Sequence, residues 1–437
     1  MKKPIGTVKE RRQTSRPDNL SGLLQIARKT FSNFPQDAFR IALDTCSLRL
    51  LQAVVLLPGA LYVFFKNSFT DLFGVLYCLQ REGRLKPQLP EIGKVSSEIF
   101  DEIILPRLGR KRPEILVGPR HGVDVGVVDL GNDKVMVTTT DPIFVVPPYG
   151  WERSGWFAVH ILASDAATSG IRPQYITMDL NLPLSMSRED FEEMWEAMHG
   201  ECDKIGMAIL SGHTGRYQGC EYPMIGGGTV IGIGPKDRYV TPNMARPGDV
   251  VIITKGAAIE TAGLFAVTFS RRVAERYGEQ AAREAEEIFW QMSVVEDALT
   301  AVEAGVREDG VTSMHDATEC GVWGGLFEVA QASTVGMTID KDKIIVQDAV
   351  RKVCDLFGVD PYSSISEGTL IVTCRAHKAQ EVIRRLDDKG IPAAMAGEIV
   401  EPQQGMRVFE RGTARELTHP KVDPFWAAFG KAASQGA

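Results

Sequence analysis

The chain has 437 residues, of which 44% are hydrophobic and 24% charged, and its formal net charge is −7. That length allows two or three domains, each with its own core. The composition is that of a soluble globular protein, and the acidic balance gives no reason to expect nucleic acid as a partner of the whole chain. The seven cysteines (Cys46, Cys78, Cys202, Cys220, Cys320, Cys354 and Cys374) form no CxxC pair and no His/Cys zinc spacing. A structural zinc and a disulfide framework are therefore not supported, and a reducing cytoplasm is expected.

Residues 1–86 hold 14 Lys/Arg against 6 Asp/Glu, which leaves the rest of the chain at −15. The run AVVLLPGALYVFF, Ala53 to Phe65, is 13 residues long and carries Pro58-Gly59 in its middle. A membrane-spanning helix needs about 20 apolar residues, and the run lies too far from Met1 to be the core of a signal peptide. Residues 1–90 are expected to be a basic, apolar extension: a small helical appendage, or sequence upstream of the true start. Contact with a membrane or a partner is the less favoured alternative.

LKPQLPEIGK (Leu85–Lys94) reads as a Pro-punctuated linker. Over 95–245, strands and helices alternate. VMVTTTDPI predicts a strand that ends at Asp141, and WFAVHILASDAATSG a helix closed by Gly170. YITMDLNLP alternates as a strand does, and REDFEEMWEAMHGECDKIG is an amphipathic helix with acidic residues in its first turn. MAILSGHT predicts a strand running into a loop. In IGGGTVIGIG the missing side chains predict close backbone approach, and ARPGDVVIITKG is a turn followed by a strand. Over 248–400 a second α/β-type unit is expected. It opens with long helices over about 260–306, followed by HDATECG and its helix. VGMTID, GTLIVTC and PAAMAGEIV then read as strands, and VQDAVRKVCDLFG and AQEVIRRLDDKG as helices. Residues 401–437 read as a weakly ordered tail. No P-loop, GxGxxG or GxSxG motif is present.

HDATEC crowds His315, Asp316, Thr318, Glu319 and Cys320 into six positions before an apolar, helix-like run. A helix cap would account for one oxygen-bearing side chain there, but not for two carboxylates with a His and a Cys. Further such groups are Asp124 in the Gly-flanked loop of GVDVGVV, Asp141 at the strand end of TTTDP, His160 and Asp165 on the helix of HILASDAATSG, and Gly212, His213 and Thr214 in the loop of SGHTG. Asp carboxylates are hard oxygen ligands suited to Mg²⁺, which bridges protein carboxylates to substrate phosphates. Burying several of them without a cation would be unfavourable. Lys255 and Arg120, beside Gly or Pro turns, could neutralise phosphate charge. These residues together predict a Mg–nucleotide site spread over two domains.

The stretches GVDVGVV, TTDP, AVHILASDAATSGIRP, SGHTG, GDVVIITKGAAIETAGLFA and MHDATECGVWGG resemble the aminoimidazole ribonucleotide synthetase (PurM-like) superfamily over about 95–400. That superfamily includes the dehydratase HypE of hydrogenase maturation, selenophosphate synthetase and thiamine-monophosphate kinase, and the HypE-like branch is the most similar. The resemblance implies an α/β (α+β) two-domain architecture. The first domain's mixed sheet would form a homodimer interface, and ATP would lie in the cleft beside the second, α+β domain. It implies ATP and Mg²⁺ as cofactors, with Asp124, Asp141, Asp165 and Asp316 as metal ligands. Gly212, Thr214 and Lys255 would join the first three of these at the nucleotide, and Asp316, His315 and His213 would act in catalysis. The implied chemistry is phosphorylation of an amide- or thioamide-type oxygen, or of another acceptor. Alternatives are a small-molecule kinase, or a nucleotide-binding maturation partner without turnover. The sequence departs from the family at Ser164, where Asn is usual, and at Cys320, where Gly is usual. KAASQGA also lacks the Cys with which HypE ends, which argues against the HypE reaction in its usual form.

Overall fold

A computed structural model of the chain describes residues 89–90 and 93–435. The basic extension and its apolar run lie outside the described residues. After helical turns over 97–107, the chain builds a six-stranded sheet from β1 (Ile115–Val117), β2 (Gly126–Gly131), β3 (Lys134–Phe144), β4 (Tyr175–Leu182), β5 (Ala208–Arg216) and β6 (Met224–Pro235). Their spatial order is β1-β2-β3-β6-β4-β5. All pairs are antiparallel except β4 with β5, and this parallel pair is joined by a crossover helix, as parallel strands require. Helices α1 (Trp151–Ala167) and α2 (Arg188–Ile205) cover one face.

Local chemistry explains these elements. Ser187 and Asp190 form a reciprocal capping box at the start of α2, and Gly206 closes it in the left-handed conformation. Met194, Met198, Cys202 and Ile205 form its buried stripe. The glycine-rich strand β6 is needed for close packing: a Cβ on Gly226 would lie 1.7 Å from the Asp179 carbonyl oxygen of β4. The close backbone approach expected there is met by the protein's own neighbouring strand.

The second half contributes β7 (Asp249–Thr254), α3 (Ile259–Thr268), α4 (Ser270–Tyr277), α5 (Glu279–Glu286), α6 (Val295–Ala301), β8 (Val311–Asp316), α7 (Gly321–Ser333), β9 (Gly336–Asp340), α8 (Asp348–Phe357), β10 (Leu370–Arg375), α9 (Ala379–Asp388), β11 (Ala393–Val400), β12 (Met406–Glu410), β13 (Thr413–Glu416) and α10 (Pro424–Ser434). The sheet order is β13-β12-β9-β11-β7-β10-β8. Strand β7 is buried on both faces. Val251 and Ile253 meet the core under α7, and Ile252 joins a core shared with α1. Because α1 packs against both sheets, its last turns stand at the junction of the two halves.

Three elements differ from expectation. The β3 ladder runs on through Asp141 and Pro142 to Phe144, opposite β6. SGHTG lies within β5, paired with β4, and is not a loop. The tail expected to be weakly ordered adds β12 and β13 to the second sheet and docks α10 through Phe425 and Phe429 onto an aromatic core of Phe265, Phe269 and Phe357. Large aromatic side chains supply enough burial to order a short helix.

Candidate functional site

The site is assembled where β3, α1, β8 and the loop before β2 meet. Asp141 and Thr139 share one face of β3, by strand alternation. Thr139 donates to the Asp165 Oδ2 of α1 at 3.0 Å. Asp124, Asp141 and Asp165 are half-buried and Asp316 is buried. Their charges act on one another: burial first, then Asp141, Asp124 and Asp316, raise the Asp165 carboxyl well above the usual range. Asp141 is also raised, by burial foremost, with Asp165 as a hydrogen-bonding neighbour. The structure thus brings four expected carboxylates (Asp124, Asp141, Asp165 and Asp316) into one electrostatic cluster.

His315 and Asp316 end strand β8, so they do not cap the following helix. That helix begins at Gly321, and the residue before it, Cys320, adopts φ +62. This left-handed conformation is the kind glycine favours, and Cys320 holds it with its backbone N–H donating to Asp423 Oδ2 at 2.6 Å. Burial pushes the Cys320 thiol up to about 12, so it stays protonated and is a poor nucleophile. Ser164, the other departure, donates nothing to the cluster; its hydroxyl accepts from Val294 N.

His315 and Asp316 point to opposite faces of β8. His315 Nδ1 is 2.8 Å from Asp124 Oδ2, and Nε2 is 2.6 Å from Glu328 Oε2 of α7. Burial works to lower its pKa, but the Asp124 and Glu328 carboxylates outweigh it and hold the ring well above its ordinary value. Burial would raise Glu328, yet its bond to His315 holds that carboxyl down at about 2. Both ring nitrogens are engaged, so His315 is an imidazolium that positions Asp124, and the acid–base role expected of it finds no free nitrogen. Asp316 has no hydrogen-bond donor: both oxygens are buried without one, as is Glu367 Oε1. The Glu367 carboxyl faces Asp316, and two like charges this close raise the proton affinity of both. Burial raises Asp316 to about 7 and raises Glu367 well above its ordinary value. Behind them Glu260 accepts from Glu367 N at 3.1 Å, and burial raises it to about 8.

Other expected residues stand apart. Lys255 Nζ is bound to Asp297 Oδ2 at 2.9 Å and to the Ser293 carbonyl at 2.6 Å, although its field still lowers Asp316. Gly212, His213 and Thr214 are exposed on the edge strand β5, with His213 Nε2 2.6 Å from Tyr217 Oη. His160 is bound between Ser293 and Glu201, and Arg120 is exposed. The structure does not gather these residues with the carboxylates.

Four groups of the site were missed: Lys94, Glu328, Glu367 and Glu260. A lone Glu in the apolar stretch VWGGLFEVAQA, and another just before the buried strand in SEGTLIVTC, were the available signals. Lys94 carried none.

Among the described residues, no three His, Cys, Asp or Glu side chains converge closely enough to hold a metal by themselves. The donor set nevertheless fits Mg²⁺, which takes one or two carboxylates and completes its shell with water and substrate phosphates. The orphaned Asp316 oxygens are the observation in favour.

Comparison with known proteins gives a consistent picture. The family model for the N-terminal domain of AIR synthase related proteins matches residues 122–233, and that for their C-terminal domain matches 246–408. A putative hydrogenase expression/formation protein of Methanocaldococcus jannaschii is 25% identical over 344 residues, covering 76% of this chain and 96% of its own. Carbamoyl dehydratase HypE of Azotobacter vinelandii is 27% identical over 253 residues, covering 56% and 69%. A solved structure of the hydrogenase maturation protein HypE in complex with ATP shares the fold at 21% identity, with a TM-score of 0.53, covering 77% of this chain and 97% of that one. Among the described residues no helix is long and apolar enough to cross a membrane.

Proposed function

Since this chain belongs to the AIR synthase related family, we propose that it is a Mg- and ATP-dependent enzyme that phosphorylates an amide- or thioamide-type oxygen of an acceptor. Its setting is hydrogenase or metallocofactor maturation. The observation that carries this reading is the cluster of Asp124, Asp141, Asp165 and Asp316 from both halves of the fold, with its orphaned Asp316 oxygens. The maturation role rests on the hydrogenase-related relatives, and ATP on the solved complex.

One or two of these four carboxylates would hold Mg²⁺, with water and substrate phosphate completing its shell, and the bound ion would offset the charge of the transferring phosphoryl group. Thr139 fixes the Asp165 carboxyl, and His315 fixes Asp124. The Asp316 and Glu367 carboxyls, both raised by burial, can take a proton from the acceptor or return it. Phosphorylation turns the acceptor oxygen into a leaving group, and its departure as phosphate completes a dehydration. We further propose a homodimer formed by the exposed edge of the first sheet. There Leu210 and Tyr217 are large apolar groups open to solvent, and Gly212, His213 and Thr214 would approach the partner.

Calorimetric titration of ATP, with and without Mg²⁺, into the parent and into Asp165→Ala tests the assignment. Mg-dependent binding that is lost in the variant is expected. Equal affinity in both would remove the carboxylate cluster from the site. A phosphorylated product retained after turnover, in place of free phosphate, would favour the small-molecule kinase.

A further inference from the structure

A nucleotide polyphosphate entering this cleft must approach Asp124, Asp141, Asp165 and Glu328, all acidic. A metal offsets part of that repulsion, and a cation supplied by the protein is the usual complement. Lys255 is committed to Asp297 and to the Ser293 carbonyl. The structure supplies a different ammonium. Gly93 and Lys94 cross the loop that follows Asp316. The Lys94 backbone N–H donates to Glu319 Oε2 at 3.1 Å, and Lys94 Nζ donates to Thr318 Oγ1 at 3.0 Å. Gly93 adopts φ +93, a conformation that glycine favours, and packs beside the Glu319 carboxylate. Downstream, Ser96 caps the turn Ser97–Ile99, and Ile99 is anchored in the protein at 3% exposure.

Lys94 as a whole is solvent-exposed, so it reaches the cluster from the open side of the cleft. The crowding of its ammonium end would lower its pKa, but the fields of Glu328, Asp165, Asp141 and Asp124 outweigh that and raise it. An ammonium carries three donors, and among the described residues Nζ has one hydrogen-bond partner, a neutral hydroxyl. Two N–H groups therefore remain to meet an anion brought between them and the carboxylates.

We propose that Lys94 binds the polyphosphate of the substrate nucleotide, carried over the cleft by the strap Gly93–Ile99. This rests on the nucleotide reading of the same site. The test is calorimetric titration of Mg–tripolyphosphate, Mg-ATP and adenosine into the full-length parent, Lys94→Gln and Lys94→Arg. Lys94→Gln should weaken both polyphosphates by at least about 30-fold, as expected for loss of one partner from a close charge pair. Its affinity for adenosine should not change, and Lys94→Arg should recover most of the loss. Backbone hydrogen exchange over 93–104 should slow when Mg–tripolyphosphate is added to the parent, but not to Lys94→Gln. Parent-like polyphosphate affinity in Lys94→Gln would overturn the assignment while leaving the nucleotide site standing. Failure of the parent itself to bind Mg-ATP would overturn the nucleotide reading, and Lys94's role with it.

Discussion

The two faces of β8 treat buried charge in opposite ways. On one face His315 is held between Asp124 and Glu328, with both ring nitrogens bonded. On the other, one residue along, Asp316 keeps two buried oxygens without a donor and shares its surroundings with Glu367. The histidine is fully bonded: two carboxylates on one imidazolium fix the strand against α7 and the loop that carries Asp124. The carboxyl pair is incomplete, and groups left so are destabilising unless something else uses them. The contrast separates residues that build the cleft from residues that act in it, although the two kinds are adjacent in sequence.

The largest effect is expected on the completed face. His315→Ala would leave Asp124 and Glu328 without their partner and should cost about 3–5 kcal/mol, read as a lower midpoint in urea. A loss under about 1 kcal/mol would mean that the triplet is not structural. A smaller effect of opposite sign is expected on the other face. Asp316 has its folded pKa raised from 3.8 to about 7, so the native state binds the extra proton. Its contribution is favourable below the unfolded value and is lost as pH rises through the folded one. Stability of the parent should therefore fall between about pH 4 and about pH 7. Asp316→Asn should reduce that slope and be more stable than the parent at about pH 8, by at most about 4 kcal/mol. Thermal unfolding across that range reads both, and a variant that tracks the parent at every pH would put Asp316 in solvent. The smallest effect belongs to neither face. His213→Ala on the exposed edge should change monomer stability by less than about 0.5 kcal/mol, and sedimentation should show whether it shifts self-association.

Much of this was legible in the sequence because the acidic groups sit at element ends that turn residues and periodicity mark. Asp165 near the end of a helix and Asp141 beside Pro142 are of this kind. What could not be read depends on pairing across the chain. HDATECG looks like the mouth of a helix, but His315 and Asp316 pair with β10 as strand, and alternation then sends them to opposite sides. SGHTG carries two glycines and looks like a loop, yet the β4 ladder holds it extended. Lys94 lies 224 positions from the Thr318 it bonds, in a segment whose composition marks only a linker. Lys255 follows a strand and precedes Gly256, as a phosphate-binding lysine could. Its commitment to Asp297 is a contact across 42 positions that no local pattern announces. The small residues that end the tail suggest weak order, while its order comes from Phe425 and Phe429 further in.

The most direct measurement is the number of protons released when preformed Mg-ATP binds, from calorimetry near pH 7 in buffers of differing ionisation enthalpy. Metal and phosphate require ionised carboxylates, and here burial raises Asp165, Asp316 and Glu367 above ordinary carboxyls, so that each gives up its proton at a higher pH. Net release of about one proton or more, reduced in Asp316→Asn, is the expected result. Binding with no release would mean that Mg-ATP sits elsewhere and that the carboxyl cluster is not its site.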